Sequence, residues 1–566
     1  MHGSGRPAVI DGRGGIGSTG DTAAAQPAGF SGLSGPWLPL LPAAVTLLAG
    51  LYRISGPSFS KDETATLAAV HRSFPQLIRL LGNVDVVHGA YYVLIWVVVR
   101  AFGGSSELIV RLPSVLAMAA AAYVITLLGR RLASGWAGLA AGLTFAILPS
   151  VSSYAQDARE GALLAALAAT ASYCLLRAAD AGLAGHRRGW LAGYGVALAL
   201  LGFGNLFALL LVVAHAVTLL ARVGDPPPCS PGGLPPEPPA PDRRSAPSGG
   251  KPPRPGADLP EPSDRRSAPS GGKPPRLGQG LWLGWIIAVL AVAVAVSPVA
   301  VVGYSQLHQI HWIQPPDLKD VLTVQRLLGR TSLVLATVVV VAAGVAYRLA
   351  RGRPLGGIWP GRLVALCLPW LVLPPLILLV ASAAQPVYTF RYIVFCIPAA
   401  ALLIGPAMVA LGRYAGTAAL IALLVIGLPT QAFQRSAVGH GINIRRVDRM
   451  VARNREPGDA LLNVTSRRGA DKGTGEHTLE AAYPYGLARL RDISTGQSPE
   501  QSGTLGGTYA PTQVIRARAA TVHRIWVVEW TSPRPVVLLD GLGFRLVRRW
   551  DIQGLWLRLY VREAGR

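Results

Sequence analysis

Residues 89–102 read GAYYVLIWVVVRAF, an apolar run that is short for a bilayer crossing and closes on Arg100 and its neighbours. The reading of this run decides the fold, because it sets which side of the membrane every later loop occupies. Eleven further apolar blocks lie at about 37–54, 109–129, 133–153, 160–177, 189–205, 206–222, 281–302, 330–349, 361–383, 391–411 and 413–430. A hydrocarbon core of ~30 Å takes about 20 helical residues, so these blocks are expected spans. Counting 89–102 as a twelfth would put Arg130, Arg131, Arg187 and Arg188 outside. Omitting it, with a cytosolic amino terminus, brings them inside with Arg348, Arg351, Arg353 and Arg413, as the positive-inside rule favours. Residues 89–102 are therefore read as a helix lying along the outer membrane surface.

Composition agrees with the spans. Of 566 residues, 51% are hydrophobic and 14% charged, and the mean hydropathy is +0.39, against ~25% charged in an average soluble chain. An ordinary soluble globule is excluded. The net charge of +24 does not indicate a nucleic-acid partner, because the arginines sit between apolar blocks, where they orient a membrane protein, and no aromatic-rich basic fold accompanies them. Cys174, Cys367 and Cys396 lie within apolar blocks and Cys229 in a Pro-rich stretch, so neither a disulfide framework nor a structural zinc site is expected.

Five regions follow. Residues 1–36 form a disordered cytosolic tail rich in Gly, Ala and Ser; its GxGxxG at Gly12–Gly17 lacks the strand and helix that a dinucleotide site needs. Residues 37–222 form an N-terminal transmembrane module with a large first outer loop. Residues 223–280 form a disordered Pro-rich cytosolic linker, in which DRRSAPSGGKPPR occurs at 242–254 and again at 264–276. Residues 281–430 form a second transmembrane module. Residues 431–566 turn polar, with a helix expected at 448–455 and strands at 459–464, 524–530, 543–550 and 555–561, the last two joined at Gln553-Gly554. The expected fold is an all-α polytopic membrane protein of about eleven transmembrane helices carrying a small extracytoplasmic α/β domain.

This topology collects polar residues on the outer face. The first loop holds Asp62, Glu63, Asp85, His88, Tyr91 and Tyr92; Arg111 opens the next span; Tyr154, Gln156, Asp157 and Arg159 fill a later turn; and Arg391 and Tyr392 precede a late span. Gln306, His308, His311 and Trp312 join the same interface. Singly, each has a plain explanation: Asp62 and Glu63 as solvated loop charges, Arg111 and Arg391 as snorkelling anchors, the two histidines and Trp312 as interface anchors, and His215 as a packed histidine. Their convergence is what argues for catalysis, since ionised groups beside hydrocarbon are expensive. Moving a sugar from a lipid phosphate to a hydroxyl needs a carboxylate to take the proton, a role open to Asp62. It also needs cations for the departing phosphate, roles open to Arg111, Arg159 and Arg391, whose guanidinium forks match phosphate oxygens. His88, Tyr91, Tyr92, Tyr154, Gln156 and Tyr392 are the candidate substrate contacts. The cytosolic loops offer no nucleotide-binding fold, so a nucleotide sugar is a poor donor.

The ordered set Asp62-Glu63, His88-Gly89-Ala90-Tyr91-Tyr92, Arg111-Leu112-Pro113-Ser114, Tyr154-Ala155-Gln156-Asp157-Ala158-Arg159 and Arg391-Tyr392 resembles glycosyltransferase family 39, and more narrowly the bacterial protein-mannosyltransferase-like enzymes of the GT-C fold. The resemblance spans about 37–430, and the segment 446–460 is similar to the start of the outer domain in actinobacterial members. It implies an inverting transferase that takes a sugar, mannose by the family name, from a polyprenyl phosphate to an extracytoplasmic protein or glycan hydroxyl. Asp62 would be the base, with Glu63 and Asp157 as secondary acids. Members carry His-Pro-Pro-Leu where this chain has His88-Gly89-Ala90-Tyr91. Relatives with oligosaccharyltransferase activity hold a divalent metal with paired acids, but Arg159 stands where such a ligand is expected, so no obligatory metal is expected. An arabinosyl- or other envelope-glycan transferase of the same architecture is the alternative. A non-enzymatic transporter or binding protein for lipid-linked sugar fits less well, because the polar residues gather at one face and not near the midplane.

Overall fold

The computed structural model describes residues 35, 37–181, 186–222, 277–307, 313–316, 328–464, 476–529 and 536–563. All of the expected tail but Gly35, nearly all of the Pro-rich linker, His308, His311, Trp312 and Trp530 lie outside them.

Every apolar block forms helix. The helices are α1 (Leu40–Leu51), then α2 (Lys61–Val70), α3 (Phe74–Asn83) and α4 (Gly89–Phe102) in the first loop, α5 (Glu107–Leu132), α6 (Gly135–Ile147), α7 (Pro149–Ala155), α8 (Gly161–Asp180), α9 (His186–Gly204), α10 (Leu211–Arg222), α11 (Leu277–Ser305), α12 (Thr331–Ala350), α13 (Gly361–Ala381), α14 (Ile397–Ala410) and α15 (Arg413–Gln434). Among the described residues seven helices are long and apolar enough to cross a bilayer by themselves, and α6 with α7 makes an eighth, bent by 64°. The block expected as a span over 133–153 is thus broken at Leu148. Pro149 supplies no amide hydrogen to the helix before it and forces Leu148 into an extended conformation. The helices α1 and Leu206–Ala221 are apolar but shorter.

The first loop returns to its start. Arg111, in the first turns of α5, donates from Nη1 to the carbonyls of Ile54 (2.7 Å) and Pro57 (3.1 Å), just past α1. The start of α5 therefore lies beside the end of α1, so the chain between them, α4 included, goes out and comes back to one place. Its far end is tied to the loop: Trp96 Nε1 and Arg100 Nη2 donate to the carbonyl of Arg72. Gly103, at φ +67°, turns the chain out of the helix in the left-handed conformation that glycine adopts without a Cβ clash. Elsewhere small residues let backbones meet. At Gly405 a Cβ would stand 2.5 Å from the amide nitrogen of Ala141, so α14 lies directly on α6.

The polar region folds as α16 (Ile444–Asn454), β1 (Ala460–Asn463), β2 (Arg491–Asp492), α17 (Thr512–Ala519), β3 (Arg524–Glu529), β4 (Phe544–Ile552) and β5 (Leu555–Arg562). The sheet order is β2-β1-β3-β5-β4; β1 is parallel to β2 and β3, and β5 is antiparallel to β3 and β4. Gln553 (φ +37°) and Gly554 (φ +90°) make the hairpin turn, at the junction expected from sequence. Both β2 and α17 are additions to that expectation, since a two-residue strand has no period to read. One face of the sheet, with Leu461, Trp526 and Leu557, packs through Ile444 and Val447 of α16 into a core that also holds Leu67, Val70 and Tyr91 of the first loop. The α/β domain and the loop thus share one apolar core.

Candidate active site

Ser60 starts α2 with a reciprocal capping box: Glu63 N donates to Ser60 Oγ, and Ser60 N donates to Glu63 Oε2 at 2.8 Å. The same carboxylate accepts from Arg111 Nε at 2.7 Å and Nη2 at 2.9 Å, and from the amide of Ala158 at 3.0 Å. Neither side chain has any exposed surface. Burial alone would raise the Glu63 carboxyl, but the charge and hydrogen bonds of Arg111, with the contact from His440, hold it well below the usual carboxylate range. The remaining Arg111 hydrogens go to the carbonyls of Ile54, Pro57 and Ser58. All five N–H groups are spent on the protein, which moves Arg111 from the expected phosphate set to the frame of the loop, and Glu63 with it. Tyr91 is likewise buried, bonded to Ser114 Oγ at 3.3 Å, and Gln156 Nε2 donates to the carbonyls of Gly50 and Tyr52. These two expected substrate contacts build the wall behind the site.

In front of this frame lies a cavity of about 340 Å³, lined by Asp62, Tyr154, Asp157, Arg159, Glu160 and Arg391 among others. The carboxylate of Asp62 accepts from Arg391 Nη1 at 2.8 Å, joining the first loop to the head of a late span. Arg159 is held from three sides. Its Nη2 lies 3.0 Å from His88 Nε2, its Nη1 3.4 Å from the Tyr92 hydroxyl and its Nε 3.4 Å from Glu160 Oε2. A guanidinium only donates, so His88 Nε2 accepts and the ring proton sits on Nδ1, which faces Glu160 Oε2 at 3.3 Å. Tyr92 in turn donates to Asp85 at 2.9 Å, and Asp85 is held at φ +58°, a left-handed conformation costly for a side-chain-bearing residue.

The acids of the cavity are driven apart. Surrounding protein pushes Asp62 up, but Arg159 and Arg391 outweigh it and leave its pKa lowered. Burial, then the charges of Glu63 and Asp62, push Asp157 well above the carboxylate range, and its Oδ1 is buried with no hydrogen-bond partner among the described residues. Glu160, absent from the residues expected in the site, is held well below that range, burial notwithstanding, by His88 and Arg159. It directly follows the motif that ends at Arg159, and its value as the counterion of that arginine is legible in sequence only as adjacency. A second cavity of about 220 Å³, mostly apolar, begins where His88 meets Arg159 and Tyr392 follows Arg391, and continues past Phe207 and Tyr304. Among the described residues no group of three or more His, Cys, Asp and Glu is arranged to hold a metal.

The chain superposes on ArnT from Cupriavidus metallidurans in the apo state with a TM-score of 0.53, covering 92% of this chain and 97% of that one at 14% identity. The chain shares the fold of that protein. Residues 89–225 match the family described as dolichyl-phosphate-mannose-protein mannosyltransferase. Weaker superpositions include the arabinofuranosyltransferase AftD from Mycobacteria (TM-score 0.47, 15% identity, 94% of this chain and 40% of that one). Another is the archaeal oligosaccharyltransferase AglB from Archaeoglobus fulgidus (0.44, 10%, 87% and 69%). Comparison with curated proteins returns no significant sequence match. The matched segment runs from the start of α4 through α10. It includes Arg111, Asp157 and Arg159, whereas Asp62 and Arg391 join the site through the fold.

Proposed function

We propose that the chain is a membrane glycosyltransferase that moves a sugar from a polyprenyl phosphate to a hydroxyl group at its outer face. The observation that carries this reading is the Asp62–Arg391 pair at 2.8 Å in a polar cavity that also holds Arg159 and adjoins an apolar one. A carboxylate, two guanidinium groups and a greasy groove are what a sugar on a lipid phosphate requires. The acceptor oxygen attacks the anomeric carbon opposite the phosphate while Asp62 takes its proton, and the C–O bond to phosphate breaks. The phosphate leaves with the electron pair, its charge met by Arg391 and Arg159, and the anomeric centre inverts. A donor phosphate also draws Arg391 away from Asp62, which raises the carboxylate's basicity once substrate is bound.

Mannose is the sugar that the family match favours, with an extracytoplasmic protein or glycan as acceptor and no obligatory metal. The arginines on the opposite loops support an extracytoplasmic site. The test supplies radiolabelled polyprenyl-phosphate mannose, and in parallel polyprenyl-phosphate arabinose, to the wild-type chain and to Asp62→Asn in nanodiscs, with an envelope fraction as acceptor. Wild type is expected to transfer one sugar. Asp62→Asn should lose at least ~100-fold, as loss of a general base does, with unchanged melting. An active Asp62→Asn removes Asp62 as the base.

A further inference from the structure

His440 lies in the connector between α15 and α16, far from every motif that marks the site in sequence, yet it lines the same cavity as Asp62, Asp157, Arg159 and Arg391. Its side chain is only 8% exposed, so the ring is held in place. Nδ1 stands 3.0 Å from Glu63 Oε2. The approach of Arg111 Nη2 to the same nitrogen is longer, 3.4 Å, and both Nη2 hydrogens already lie on Glu63 and Ser58. Glu63, paired with Arg111, is a carboxylate and only accepts. In the neutral tautomer that this contact selects, the proton is on Nδ1, donated to Glu63, and Nε2 carries a lone pair. No described residue bonds to Nε2. A fixed acceptor in the wall of a cavity read as a sugar-transfer site is placed to take a ligand hydroxyl.

We infer that His440 is a substrate-contacting residue whose Nε2 accepts a hydrogen bond from a hydroxyl group in the cavity, on the transferred sugar or on the acceptor, while Glu63 fixes the ring from behind. The inference rests on the reading of the cavity as a transfer site. It gives the buried Glu63–Arg111 pair a second role, since the pair anchors the loop and also sets the tautomer of a ring supplied by the connector.

The test is His440→Asn in the full chain. The asparagine amide takes the place of Nδ1 and keeps the donation to Glu63, but removes Nε2. With the radiolabelled donors and envelope fraction above, transfer should fall by about tenfold, the value of one such hydrogen bond, at an unchanged melting temperature. A rise in donor KM places the hydroxyl on the sugar; a fall in turnover at saturating donor with unchanged donor KM places it on the acceptor. Wild-type transfer by His440→Asn overturns the inference alone. A loss accompanied by a lowered melting temperature overturns it too, since the role is then structural. A wild-type chain that transfers neither sugar overturns the reading of the cavity, and this inference with it.

Discussion

Glu63 and Asp62 are neighbours in sequence with opposite fates. Glu63 points inward to a bidentate guanidinium, fully buried, and Asp62 outward to the cavity. Removing one partner of a buried ion pair leaves the other charge stranded, so Glu63→Ala or Arg111→Ala should each cost about 3–5 kcal/mol. The double change Glu63→Leu with Arg111→Met strands no charge but leaves the amides of Ser60 and Ala158 and the carbonyls of Ile54, Pro57 and Ser58 without partners, so it should still destabilise, read from melting curves. The pH dependence follows from the same pair. Because the folded pKa of Glu63 is depressed, its stabilisation is complete above the unfolded value of about 4.3. It is lost as pH falls through the folded value. Melting of the wild type should hold from about pH 7 to about pH 5 and fall below, with a weaker acid limb in Glu63→Gln. Asp157 carries the converse expectation. Raised well above the carboxylate range and short of a partner, it resembles an amide more than an anion. Asp157→Asn should thus keep transfer within about tenfold of wild type, where Asp62→Asn loses it.

At the scale of elements, the site depends on helices that approach closely and on one that breaks. The bend between α6 and α7 turns Tyr154 and Asp157 into the cavity, whereas a straight span would carry them past it. The contact of α14 on α6 holds the head of the late span, and with it Arg391, against that bent pair. At Gly405 the obstacle to a Cβ is the backbone of Ala141, at 2.5 Å from nitrogen and 2.7 Å from Cα, which cannot swing aside as a side-chain tip can. Gly405→Ala should therefore destabilise by roughly 1–3 kcal/mol, the cost of overpacking. Since the segment leading into the displaced helix carries Arg391, it should also weaken binding of the proposed polyprenyl-phosphate donor, measured by microscale thermophoresis.

In the whole molecule the α/β domain holds the first loop. Tyr483 donates to Glu107 at 2.8 Å and accepts from the amide of Phe59, Arg445 pairs with Glu107 at 2.6 Å, and the hydroxyls of Thr64 and Thr478 meet at 3.1 Å. Together with the shared apolar core these contacts make the domain a clamp. Deleting residues 444–566 should expose the loop between residues 55 and 106 to limited proteolysis and abolish transfer, even though every span and the motif residues through His440 remain. Retained transfer with an intact loop would limit the domain to other roles, such as acceptor choice.

Sequence by itself determined the apolar helices and the small α/β domain, because hydrophobic and strand patterns act on local runs of residues. It also singled out Asp62, because an acid pair just after the first apolar block is a local feature. Which of the charged residues line the cavity was decided by tertiary structure. Arg111 and Arg391 look alike along the chain, but one spends five N–H groups on buried oxygens and the other reaches Asp62 across hundreds of residues. His440 had no local signal, since its only distinction is the carboxylate it leans on. Hydrophobicity is summed over neighbours in sequence, and hydrogen-bond satisfaction over neighbours in space, so the first is written in the chain and the second exists only once it has folded.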